Sequence, residues 1–299
     1  MKKLTKGNAG ILSQLLPQDN RLYLHHGPID IIAHVEASEE IRLQLYSCAK
    51  NRFSTILDEL VAELDLLRLP WSINNPVPQG SIAQKMLAAV SDSQVFITPM
   101  AAVAGSVADE VLNTLLFEAK KQDSFLKHIQ KMYVNNGGDI AFWLNQGSSY
   151  SLGVVDNAEI PELNTKVCLP YESPVRGIAT SGWRGRSLSL GIADAVTVLA
   201  GSASIADVAA TLIANDVNIK YQGIEKRPAS EVKDDSDLGR IPVTVHVPPL
   251  PEEQTSKALH QGLRTARKFI KAGKIEAAYL SLQQQRLVIG NNLNEISNE

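Results

Sequence analysis

Two stretches of the chain, RLYLHHGPIDIIAHV at residues 21–35 and KMYVNNGGDIAFWL at 131–144, each read as two strands meeting at a turn dipeptide, Gly27-Pro28 and Asn136-Gly137. Around them the apolar spacing changes from two residues to three or four, the helical period. Strands of a doubly wound parallel sheet need a crossover after each one, whereas hairpins mixed with helices predict an α+β fold. Ser38, Glu39 and Glu40 open a long amphipathic helix over 38–68, which Pro70, Pro76 and Pro78 terminate. A second helix is expected over 81–91. Residues 95–121 read as a short strand, a loop of small residues and a helix. Apolar runs follow at 151–155, 175–180 and 187–200, then a helix over 204–215. The polar, acid-rich stretch 226–241 predicts an exposed loop. A last amphipathic helix over 252–272 places Leu259, Leu263, Ala266 and Ile270 on one face, with Gly273 as its C-terminal cap. This predicts an N-terminal segment at 1–20, a single domain over 21–289 and a frayed tail at 290–299.

With 299 residues, 44% hydrophobic and 20% charged, the chain can bury an ordinary globular core. A formal net charge of -3 gives no electrostatic reason to expect nucleic acid or an acidic membrane as partner. No apolar run follows the opening MKKLTKGNAG, and no uncharged stretch is long enough to span a bilayer. Two cysteines, Cys48 and Cys168, make no disulfide framework, so the reading is cytoplasmic. The apolar surface of the 252–272 helix suits a homodimer.

One internal echo stands out: AGSVADEVLNTL at 104–115 resembles AGSASIADVAATL at 200–212, with one residue inserted. Both put a serine three residues before an aspartate at a helix start. In SIADVAATLIAN, residues 204–215, Asp207 is the one charge, with Thr211 one turn further on. Ser204 followed by Asp207 fits a capping box, in which serine and acid satisfy the exposed donors of the same helix. The pair Asp207 and Thr211 equally suits Mg²⁺, a hard cation that keeps waters and shares phosphate oxygens. Capping makes no demand on Thr211, so both readings stand.

Two further segments carry the same choice. In NNGGDI, residues 135–140, Asn136-Gly137 is a hairpin turn, while Gly137, Gly138 and Asp139 offer bare backbone and a carboxylate to a ligand. The loop GIATSGWRGRSLSLGIADAV at 177–196 brings together Thr180, Ser181, Gly182, Arg184 and Arg186, which either hold phosphate or sit solvated.

Taken in order, TPMAAVAGSVAD, VNNGGDI, ATSGWRGRSLSLGIADAV and SIADVAATLIAN resemble the ApbE-like proteins, relatives of the ApbE-type FAD:protein FMN transferases. RLYLHHGPIDIIAHV and the helix before Gly273 look like a bacterial branch of that group. The resemblance implies a T-fold-like α+β domain, antiparallel or mixed sheets packed with helices, that holds FAD or a related flavin with Mg²⁺. It implies metal ligation by Asp207 and Thr211. A ligand pocket would be built from Asn136, Gly137, Gly138, Asp139, Thr180, Ser181, Gly182, Arg184 and Arg186, with Gly105 and Asp109 matching the Lys-Gly element of the transferases.

Two positions depart from that pattern. Ala104 stands where the transferases carry lysine, and Arg186 where the ApbE-like group has histidine. Arginine stays protonated, so it binds phosphate but is a poor general base. Three readings remain: a Mg²⁺-dependent enzyme that cleaves FAD or transfers FMN from it, a non-catalytic flavin- or pterin-binding protein, and a structural or assembly protein. In each of the first two the partner is a small heterocyclic, phosphate-bearing molecule. The six histidines lack zinc spacing, DDSDLG at 234–239 lacks the closing glutamate of a calcium loop, and Cys168 has no nearby histidine.

Overall fold

Every second side chain of strand β3 (Ile29–Glu36) is buried, and the four concerned, Ile29, Ile31, Ala33 and Val35, face one layer of helices. The computed structural model describes residues 10–16, 19–121, 125–155, 163–234, 236–290 and 293–295. Before β3 come β1 (Leu12–Leu16) and β2 (Arg21–His26); after it come α1 (Glu39–Ala62), a single turn α2 (Leu64–Leu67) and α3 (Ser81–Val90). A 3-10 turn at Pro99–Ala102 opens α4 (Val103–Lys121), followed by the short α5 (Phe125–His128), β4 (Lys131–Asn136) and β5 (Asp139–Leu144). The middle of the chain holds β6 (Ser149–Val155), β7 (Leu163–Pro170), β8 (Gly177–Ser181) and β9 (Ala195–Ala200). The remainder is α6 (Ala203–Asp216), β10 (Glu225–Pro228), α7 (Ala229–Val232), β11 (Pro242–His246), α8 (Glu252–Lys271), β12 (Ala277–Leu282), β13 (Gln285–Gly290) and β14 (Leu293–Glu295).

Among the described residues the main sheet runs β1-β2-β3-β4-β5-β8-β9-β12-β13, with each neighbouring pair antiparallel. Strands β2 and β3, helices α1 and α4, then β4 and β5 make one half. Strands β8 and β9, helices α6 and α8, then β12 and β13 repeat that order, so the sheet is two such units joined edge to edge between β5 and β8. Helices α1 and α4 cover the first half, burying Tyr46, Phe53, Ile56, Val111 and Leu115, while α6 and α8 cover the second. Across the middle of the other face, Leu169 of β7 packs with Phe142, Leu144, Ile178, Leu199 and Tyr279. The α+β class expected from the alternation of hairpins and helices is the one found.

Several local expectations are revised. No strand forms at 95, and the small-residue stretch expected to be a loop is the first turns of α4, because alanine and glycine there admit the backbone of α6. Only 195–200 of the apolar run 187–200 is a strand. The stretch 226–241, expected to be a loop, carries most of β10 and all of α7, and β10 pairs with β11. The first and last described strands join sheets, β1 on β2 and β14 on β7; of the expected frayed tail, residues 291–292 and 296–299 lie outside those described. The face of α8 that suggested a homodimer is used within the chain, where Ala258, Leu259 and Ala266 pack against the core beneath α6 and β12. By length and composition Pro99–Lys121 is apolar enough to cross a bilayer, yet half of its most apolar window is buried in the fold. Its acids are matched as well: Asp109 by the start of α6, and Glu110 by Arg52 and Lys85.

Candidate active site

Gly105, in the first turn of α4, has no side chain because a Cβ there would lie 2.3 Å from the carbonyl oxygen of Ala203. The two helix starts therefore cross at backbone contact, and each finds its cap on the other. Asp109 of α4 accepts the Ala203 and Ser204 N–H groups of α6, both at 3.0 Å. Asp207 of α6 accepts the Gly105 N–H at 3.0 Å and also the Ala104 N–H. A helix leaves its first N–H groups without intrahelical partners, and a carboxylate there is favoured by hydrogen bonding and by the helix dipole. This corrects the capping-box reading: the N-cap of α6 is Ser202, whose hydroxyl accepts from the Ile205 N–H, and Asp207 caps a different helix. Asn136, buried at the end of β4, donates to the Ala104 carbonyl at 3.1 Å and ties the sheet to the same helix start.

Asp139 opens β5 directly after Gly137 and Gly138, whose φ angles of 65° and 118° belong to glycine. The turn is closed by Asn135, whose side-chain oxygen accepts the Gly138 N–H at 2.8 Å. The Asp139 carboxyl is pushed up to about 7 because burial penalises its charge, while the Thr180 N–H acts against that shift. Asp207 is raised well above the ordinary carboxylate range by burial first, then by the charge of Asp139. The Gly105 and Ala104 N–H groups oppose that rise, and the charge of Asp109 adds to it. Asp139 and Asp207 are half-buried as whole residues, and Thr180, Gly137 and Gly138 beside them are exposed. Buried acids whose charges repel do not both ionise cheaply near neutral pH unless a cation or a proton offsets one of them.

The loop from Ser181 to Leu190 closes over this end of the sheet. Arg186 places Nη1 3.2 Å from the point a Cβ on Gly137 would occupy and turns Nη2 toward the Pro28 carbonyl. Arg184 goes elsewhere: its Nε meets Asp194 at 2.7 Å and its guanidinium lies over the Trp183 ring. Gly182 is pressed on the Asp194 backbone, and Ser181 sits opposite Val196 in the β8–β9 ladder. The Thr180 and Thr197 hydroxyls share a hydrogen bond at 2.8 Å. Thr211 is half-buried one turn after Asp207.

Of the residues singled out in the sequence, Gly105, Asp109, Asn136, Asp139, Thr180 and Asp207 meet at the two helix starts, and Gly137 meets Arg186. Arg184 and Gly182 instead hold the loop. Asp194 was not singled out, although it receives Trp183 Nε1, Arg184 Nε and the Gln283 N–H. Its GIAD context, so like the SIAD of α6, was the available signal. Among the described residues no three His, Cys, Asp or Glu side chains could cage a metal. A cation here would have to draw on two carboxylates, hydroxyl oxygen and its ligand's own oxygens, a donor set that fits Mg²⁺ rather than zinc.

A family model described as AbpE bacteria matches residues 13–292. The UPF0280 protein of Methanothermobacter thermautotrophicus is 33% identical, over 68% of this chain and 77% of that one. The UPF0280 protein of Methanosarcina barkeri is 29% identical, over 66% of this chain and 70% of its own. Among solved structures, the ApbE protein of Thermotoga maritima aligns with TM-score 0.38 and 15% identity, covering 86% of this chain and 77% of its own. The apo flavinyl transferase ApbE of Pseudomonas stutzeri gives TM-score 0.37 and 14% identity, over 96% and 97%. At such scores the fold described above rests on its own strand order.

Proposed function

The chain belongs to the AbpE bacteria family, and we propose that it binds a flavin-type, phosphate-bearing ligand together with Mg²⁺ where α4 and α6 meet the Gly137-Gly138 turn. The observation that carries this reading is the crossing of two helix starts beside the glycine turn, where Asp207 accepts the Gly105 N–H at 3.0 Å, Asn136 donates to the Ala104 carbonyl at 3.1 Å, and burial raises both Asp207 and Asp139. Mg²⁺ would neutralise a pyrophosphate and stabilise the charge that develops if a phosphoanhydride breaks. Asp207, Asp139 and Thr211 are the oxygen donors toward the cation, and Arg186 is the cation nearest the glycine turn, suited to a phosphate oxygen. Asn136, Asp109 and Gly105 hold the helix starts in register and stand behind the ligand.

A second reading, binding without turnover, is favoured by Ala104 and Arg186. The methyl group at 104 supplies no charge where the flavin transferases of the resemblance have lysine, and Arg186 cannot serve as a base at neutral pH. Purified protein mixed with FAD, with and without Mg²⁺, separates the two. Flavin fluorescence reports binding, and chromatography for FMN and AMP reports cleavage. Mg²⁺-dependent binding lost in Asp207→Asn supports the proposed site, with or without products. Binding that ignores both Mg²⁺ and this substitution sinks it.

A further inference from the structure

A concave surface lies away from the helix starts. Asn218, Ile219, Lys220, Tyr221, Ile224, Lys226 and Gln261 line an open depression of about 620 Å³ between the end of α6, β10 and α8. Among the described residues its lining offers two isoleucines, a tyrosine ring, two lysines and two side-chain amides, and no acid. Asp216, the acid at the end of α6, is engaged by the Thr265 hydroxyl of α8.

The lining is also wired to the loop that carries Arg186. The Leu190 carbonyl accepts from Lys226 Nζ at 2.5 Å and from Asn218 Nδ2 at 3.0 Å, and the Leu190 N–H donates to Asn215 at 2.9 Å. An ammonium has three donors. The one that Lys226 gives to Leu190 leaves two for an anion in the depression, and Lys220 adds a second positive charge to the same lining.

We propose that this depression is a separate binding site for a small aromatic or heterocyclic molecule bearing an anionic oxygen group, phosphate or carboxylate. The ring lies on Ile219, Tyr221 and Ile224, and the anion lies on Lys226 and Lys220. Lys226 and Asn218 both hold Leu190, four residues after Arg186. An occupant therefore tightens the end of the loop whose tip covers the Gly137 turn.

Phenyl phosphate is the probe, titrated into the full chain and followed by amide NMR. Saturable shifts are expected at the Asn218 and Gln261 side-chain amides and at the Leu190 backbone amide. Phenol and inorganic phosphate should each bind at least about tenfold more weakly, since each keeps only half of the interaction. Lys226→Met should lose about tenfold or more in affinity. Lys220→Met, which does not touch the Leu190 clamp, should lose several-fold, and this variant decides the matter if Lys226→Met folds poorly. Asp207→Asn should leave the titration unchanged, so failure of the Mg²⁺ site and failure of this one read out separately. Shifts confined to the Arg186 loop and the Gly137 turn overturn the assignment. So does equal affinity for phenol, an unchanged titration in Lys220→Met, or no saturable shift at all.

Discussion

Asp207 on α6 accepts the backbone N–H of Gly105 on α4 at 3.0 Å, while Asp109 returns the same service to the start of α6. The two carboxylates that echo each other in sequence are thus each other's counterparts in space. They join the two halves of the sheet through helix starts rather than through an apolar seam alone. Asp207 is also within reach of the charge of Asp139, which ties the helix cap to the glycine turn.

Gly105→Ala should destabilise the protein by about 2 kcal/mol or more, since its methyl would meet the backbone of Ala203 with no flexible side chain able to yield. Urea denaturation measures it. A midpoint equal to the parent's would mean that the helix crossing is looser than described.

Asp109→Ala should cost on the order of 1–2 kcal/mol as a lost helix cap. Asp109→Asn should cost less, because its amide oxygen can still accept from one of the two N–H groups. Equal losses in thermal melts would indicate that charge, not hydrogen bonding, dominates at this helix start.

The pH dependence of the metal-free protein tests the carboxyl pair. Asp139 has a folded pKa of about 7 against an ordinary 3.8, so the native chain holds a proton that the unfolded chain has lost. Its contribution is complete below 3.8 and disappears as pH rises through 7, with a slope of up to about 1.4 kcal/mol per pH unit. His34, lowered from 6.5 by burial, acts oppositely: its contribution is present above 6.5 and is lost as pH falls. Asp139→Asn should therefore flatten the decline between pH 4 and 7 relative to the parent, and Mg²⁺ should stabilise the parent more at pH 8 than at pH 5. A parent and variant with parallel pH curves would falsify the raised pKa.

Gly137→Ala combines a left-handed φ of 65° with a Cβ 3.2 Å from Arg186 Nη1. It should cost about 1 kcal/mol of stability and push the guanidinium off the turn. Ligand affinity should then fall about as far as in Arg186→Met. A variant with parental affinity would remove Arg186 from the site.

At the β12–β13 turn, Gln283 and Gln284 have φ of 46° and 71°, unusual for residues with a side chain. Gln284→Gly should raise stability by about 0.5–1 kcal/mol. Gln283→Gly should not, because that side chain bridges the Leu250 N–H and the Pro248 carbonyl, at 2.8 and 2.7 Å. Calorimetry on the two variants checks the contrast.

Much of the architecture was legible because local rules act over a few residues. The hairpins at Gly27-Pro28 and Asn136-Gly137 and the helices at 39–62, 81–90, 203–216 and 252–271 all follow from period and turn chemistry. The errors fall where distant partners decide. The small residues within 95–121 look like a loop until another helix occupies the space a side chain would fill. The apolar stripe of α8 finds its partners within the chain, where Ala258, Leu259 and Ala266 pack with residues of α6 and β12.

By itself the sequence determined the alternation of paired strands and helices, the positions of the glycine turns, and which few carboxylates and arginines stand among apolar neighbours. Only the tertiary structure decided what those charges face: that Asp207 caps α4 and not its own helix, that Asp139 lies within reach of its field, and that Arg184 turns to Asp194 while Arg186 covers Gly137. The reason is range. Periodicity and turn preferences are set by neighbours a few bonds away, whereas a carboxylate's partners and its pKa depend on backbone N–H groups roughly a hundred residues distant, brought to it by the closing of one sheet from two halves.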